Sequence, residues 1–133
     1  MPFPVAVEHV HRAEEELGSK FPASYVVRMC RQNGGTLEAA DDCWYLFPIF
    51  DDSDKQRLRR TCNDVVRETA LAKEWAGFPE GAVAIGSNGT GDKLVLVRDP
   101  SDPALLEHAV YWWDHETDKL IQVGDDFADL ADA

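Results

Sequence analysis

The chain has 133 residues, 44% of them hydrophobic, with 13 Lys and Arg against 25 Asp and Glu, a net charge of −12. That length suits one domain, and so acidic a surface repels phosphate backbones, which argues against nucleic-acid binding and favours encounter with a basic protein. Met1-Pro2-Phe3-Pro4-Val5 is no secretory signal and no stretch approaches the roughly 18 apolar residues of a membrane span, so the expected location is the cytoplasm, with no membrane partner.

In chain order, Val5 to Leu17 reads as an amphipathic helix, with Val7, Val10 and Leu17 at three- and four-residue steps and Gly18 placed as a left-handed cap. A second helix starts at Phe21-Pro22, carries Tyr25, Val26, Met29 and Cys30 as its apolar stripe, and ends at Asn33-Gly34-Gly35. Thr36–Ala40 and Cys43–Phe47 alternate as strands around Asp41-Asp42. The acidic segment Asp51-Asp52-Ser53-Asp54 then opens one long helix from about Asp54 to Trp75, with Leu58, Cys62, Val65 or Val66, Thr69 and Ala72 at helical spacing. Lys55, Arg57, Arg59 and Arg60 concentrate the positive charge and read as a solvated helix face.

Gly77-Phe78-Pro79-Glu80-Gly81 breaks that helix. Ala82–Val97 (AVAIGSNGTGDKLVLV) is a strand, a sharp loop and a second strand, because Asn88-Gly89 and Gly91-Asp92 are turn dipeptides. The loop lacks the Lys-Ser/Thr and the following helix of a phosphate cradle, which makes it structural rather than a nucleotide site. Asp99-Pro100-Ser101-Asp102-Pro103 is turn-rich. Ala109–Trp113 and Lys119–Val123 form a second hairpin, and Asp125–Leu130 closes the chain as a short helix. Helices at both ends of a run of strands define an α+β class: a mainly antiparallel or mixed sheet packed by N-terminal helices, one longer central helix and a short C-terminal helix.

Candidate chemistry is sparse. Cys30, Cys43 and Cys62 are odd in number and form no C-x-x-C pair, against a disulfide framework or a structural zinc site, and none sits in a nucleophile motif. Asp114-His115-Glu116 invites a metal or acid–base reading, but adjacent strand residues point to opposite faces, and Thr117-Asp118 continues a turn. His9 and His11 lie about 200° apart around a helix and cannot share an ion. Trp112 and Trp113 face opposite ways on a strand, so one fills the core and the other is covered or exposed.

Leu17-Gly18, Phe21-Pro22-Ala23-Ser24-Tyr25 and Asn33-Gly34-Gly35 resemble the N-terminal signature of the SUKH superfamily, the Smi/Knr-type domains. Ala84 to Asp92 is similar to that family's central glycine-rich motif, and Val110 to Glu116 followed by Asp125-Asp126-Phe127 to its C-terminal strand, turn and helix. The resemblance covers nearly the whole chain in order. It implies an α+β fold in which Gly18, Pro22, Tyr25, Asn33, Gly34, Gly86, Gly89, Gly91, Asp92, Trp113 and Glu116 are fold determinants. It also implies a function class: many bacterial members are immunity proteins that neutralise polymorphic toxins, often nucleases, by binding them, whereas fungal members are regulatory scaffolds. It carries over no catalytic residue, cofactor or metal.

The expected function is therefore binding a protein partner, a basic toxin domain whose cleft is occluded. A scaffold for an endogenous partner is the alternative, and an enzyme using the Gly86–Asp92 loop a more remote one. Asp41, Asp42, Asp51, Asp52 and Asp54 are the candidate electrostatic contacts, because they lie in connections between elements, with Trp44 as the aromatic anchor nearby.

Overall fold

A computed structural model describes residues 3–132. The elements are α1 (Val7–Leu17), α2 (Ala23–Arg31), β1 (Thr36–Ala39), β2 (Asp42–Leu46), α3 (Lys55–Arg60), α4 (Val65–Ala72), β3 (Val83–Ser87), β4 (Lys93–Leu96), β5 (Arg98–Asp99), β6 (Asp102–Leu106), β7 (Val110–Asp114), β8 (Lys119–Gly124), a 3₁₀ turn (Phe127–Asp129) and β9 (Ala131–Asp132). Seven strands form one sheet in the order β8-β7-β4-β3-β2-β1-β9, and every pairing in it is antiparallel. The α+β expectation holds, with the sheet antiparallel rather than mixed.

Local chemistry sets the helix ends. Gly18, at φ 79°, turns its N–H back to the Glu14 carbonyl and stops α1. Pro22 stands immediately before α2, and its carbonyl takes the N–H groups of Tyr25 and Val26. Tyr25 and Met29 are fully buried, and the Tyr25 ring meets Phe21 at 4.5 Å and Phe127 at 5.2 Å. The Asn33 side chain bonds Ile49 from both ends, donating to its carbonyl at 2.9 Å and accepting its N–H at 2.7 Å. These contacts give Gly18, Pro22, Tyr25 and Asn33 structural roles.

The core lies between the helices and one face of the sheet, where Trp44, Ile85, Leu94, Leu96 and Val110 pack with Val10, Tyr25, Met29 and Val65. Burying each large apolar side chain contributes about 1.5–3 kcal/mol. Trp113 belongs to a smaller cluster with Ala82 and Val95, against which Phe78 packs edge-on at 5.1 Å. Trp113 is fully buried there, whereas Trp112 is half-buried against the main core, so the two indoles do part to different clusters. Gly86 is needed for closeness: a Cβ there would come within 2.9 Å of the Tyr45 carbonyl across β2 and β3.

Four sequence expectations change. The single helix from Asp54 to Trp75 is two short ones. The Asp64 carboxylate caps α4 by accepting the N–H groups of Val66 and Arg67, the Thr61 hydroxyl donates to the Arg57 carbonyl, and the Val65 N–H is drawn to the Pro48 carbonyl. Leu58 and Cys62 are consequently exposed, and only Val65, Thr69 and Ala72 of the anticipated stripe are buried. The C-terminal helix is a 3₁₀ turn capped by Asp126, after which β9 pairs with β1, so the described chain finishes on a strand. The turn-rich segment around Pro100 holds a small separate hairpin, β5 with β6. Trp44, the expected surface anchor, is fully buried and donates its indole N–H to the Ala39 carbonyl at 3.0 Å.

Candidate partner-binding face

Antiparallel pairing places three hairpin connections, β1–β2, β3–β4 and β7–β8, at one end of the sheet. Ala40 and Asp41 hold positive φ (52° and 59°), the backbone of a tight two-residue turn whose twist suits the flanking strands. Asp42 accepts the Asn88 side-chain amide at 3.0 Å, joining the first connection to the second. Asp92 joins the second to the third: it accepts the Trp112 indole N–H at 2.9 Å, the His115 amide at 3.1 Å and the His115 ring Nδ1. Burial alone would raise the Asp92 pKa, but the hydrogen bonds from His115 and Trp112 outweigh it and hold the carboxyl below its ordinary 3.8.

Asp114 and Asp118 shape the third turn. The Asp114 carboxylate accepts the Glu116 N–H at 3.0 Å, and the Asp118 N–H reaches the Asp114 carbonyl at 2.8 Å. The end therefore presents Asp41, Asp42, Glu116 and Asp118 to solvent, with Asp114 half-exposed beside them. Trp75 lies beside the third connection, 47% exposed, its ring met edge-on by His115 at 5.4 Å. Lys93 reaches the Gly91 carbonyl at 3.3 Å and lies 5.8 Å from the Trp75 ring.

Asp92, Asp114 and His115 offer ligand atoms within 4.8 Å of one another. The Asp92 carboxylate holds Trp112 and His115 and so latches the second connection to the third, while Asp114 accepts the Glu116 amide within its own turn. The sequence reading puts His115 and Glu116 in a hairpin turn, and they lie in the turn 115–118, while Asp114 ends β7. It had missed that Asp92 docks there; a carboxylate between a glycine loop and an apolar strand was the available signal.

The six candidate contact residues divide. Asp41 and Asp42 stand on the hairpin end, while Asp51, Asp52 and Asp54 follow the opposite end of β2 and already have partners. Asp51 is buried, accepting the amide and hydroxyl of Ser53 at 3.0 and 2.6 Å, with His9 and Arg57 at 3.5 and 3.6 Å. Asp52 pairs with Arg12, whose hydrogen bond holds its carboxyl below the ordinary range. Asp54 caps α3 through the Arg57 N–H at 2.7 Å, which lowers its pKa likewise. Trp44 is in the core, and the exposed indole near the hairpin end is Trp75, beside His115.

Gly89 and Gly91 both hold positive φ, 86° and 102°. A Cβ on Gly89 would meet nothing within 4 Å, whereas one on Gly91 would meet the His115 ring at 3.0–3.2 Å. Gly89→Val should therefore cost about 1–3 kcal/mol through backbone strain alone, and Gly91→Val more. Denaturant midpoints of the two variants check this order; equal midpoints would contradict it.

The model of the SMI1 / KNR4 family (SUKH-1) matches residues 4–133. The chain belongs to this family. No curated protein and no solved structure matches it. Among the described residues of this SUKH domain, no helix is long and apolar enough to cross a membrane.

Proposed function

We propose that this SUKH domain is an immunity protein that neutralises a toxin by binding it, without turnover. The observation that carries the reading is the gathering of Asp41, Asp42, Asp114, Glu116 and Asp118 at one end of the sheet, with exposed Trp75 beside His115. Acidic side chains steer a basic surface into encounter, and an exposed indole is among the residue types that most often dominate an interface. The hairpin links through Asp42 and Asp92 support this reading, because a rigid face loses little entropy on docking. The occupant is a toxin domain whose functional cleft is basic, a nuclease being the chemistry that such a cleft fits. Membership of a family with immunity-type roles supports the same reading.

Co-expression with the product of an adjoining toxin gene tests it. The expected result is a stoichiometric complex without toxic activity. The absence of such a gene beside this one, or a toxin left fully active when this chain is in excess, would favour a scaffold for an endogenous partner instead.

A further inference from the structure

At the end of the β1–β2 ladder away from the Asp41-Asp42 turn, where Thr36 pairs with Tyr45, a pocket of about 450 Å³ opens beside α3. A volume of that size holds a small organic molecule. Its walls are mostly apolar, with Phe3, Tyr45, Leu46 and Pro48 beside the bare backbone of Gly34 and Gly35. Arg57 and Arg60 also line it, and each sets its guanidinium carbon over the Phe3 ring, 4.5 and 4.8 Å from the centroid. The Phe3 carbonyl accepts the Asn33 N–H at 2.9 Å, which ties this segment to the loop that supplies the two glycines. Two cations of the basic run on α3 therefore border a cavity, where the sequence suggested only a solvated helix face.

The charges of the lining narrow what it can hold. Its single carboxylate, Asp51, is buried and already engaged by Ser53, His9 and Arg57. Two guanidiniums against one carboxylate leave one positive charge in excess, on a chain whose net charge is −12. We propose that this pocket binds a small monocarboxylate with an apolar or aromatic body. The apolar walls take the body, and the two arginines take the carboxylate. A guanidinium offers five N–H donors in a fork that matches a carboxylate. Arg57 turns Nη1 to Asp54 and Nε to Asp51, which leaves Nη2 outside both contacts. A second negative charge on the ligand would meet Asp51 in the same lining, which disfavours a phosphate monoester. The pocket lies at the opposite end of β2 from Asp41 and Asp42, so it does not depend on the toxin-binding reading.

Nuclear magnetic resonance of the isotope-labelled chain tests it with three probes: naphthoate, its neutral counterpart naphthamide, and the dianion naphthyl phosphate. Naphthoate should saturate at a concentration on the order of millimolar or below, shifting the amides of Gly34, Gly35 and Tyr45. Naphthamide and naphthyl phosphate should each bind about tenfold or more weakly. Arg60→Gln should weaken naphthoate about fivefold or more and leave naphthamide unchanged, a distinction that a folding defect would not make. Naphthoate shifts that do not saturate, or that fall on other residues, would overturn the proposal. So would equal binding of the acid and the amide, or naphthoate binding indifferent to Arg60→Gln.

Discussion

Replacing Trp44 with alanine is expected to cost about 3–5 kcal/mol of stability, since it removes a fully buried indole and leaves a cavity. The loss also removes the hydrogen bond from the indole N–H to the Ala39 carbonyl at 3.0 Å and the edge contact with Trp112 at 6.3 Å. A domain of this kind has about 5–15 kcal/mol in total, so the variant should stand close to unfolding at physiological temperature. Trp75→Ala should behave in the opposite way: a surface substitution of about 0.5 kcal/mol or less, but a large loss in partner affinity. Urea midpoints of the two variants separate the core indole from the surface one. A Trp44→Ala protein with a wild-type midpoint would contradict its place in the core.

Asp92→Ala should cost about 2–4 kcal/mol, because the indole N–H of Trp112 and the amide of His115 lose a charged acceptor in a part-buried site. Asp92→Asn keeps an acceptor oxygen and should cost less. The folded carboxyl is held below 3.8, so its contribution to stability is complete well above that value and is lost as pH falls through the folded pKa. Stability measured at neutral pH and at about pH 3 should therefore fall further for the wild type than for Asp92→Asn. Identical acid sensitivity would mean that the carboxylate is not engaged as described.

Strands β1–β4, β7 and β8 and both N-terminal helices were legible because their signals are local. Gly18 can stop a helix by its own conformation, and Asn88-Gly89 can turn a hairpin whatever surrounds it. The break at Asp64 was less visible: its carboxylate is a strong cap, but helical spacing runs through it from Leu58 to Ala72, and the Pro48 carbonyl that draws Val65 away is distant in sequence. β9 was hidden for a related reason, since two residues have no periodicity and depend on β1 for their structure.

The partner face was half legible. Asp41-Asp42 stood out as an acidic connection, but Asp51, Asp52 and Asp54 looked equivalent to them in sequence. What separates the two groups is the neighbourhood of Arg12, Arg57 and Ser53, which satisfies the second group internally. Trp44 reads as a surface anchor only because an alternating strand does not say which of its faces is covered.

Association kinetics with the cognate toxin domain test the account most directly. Reversing Asp41, Asp42 and Glu116 to lysine should slow association about tenfold or more at low salt and flatten its salt dependence. Reversing Glu15, Glu16 and Glu80, also exposed, makes the same change in net charge away from the hairpin end and should have a much smaller effect. Equal slowing by both triple variants, or by neither, would contradict a binding face at the hairpin end of the sheet.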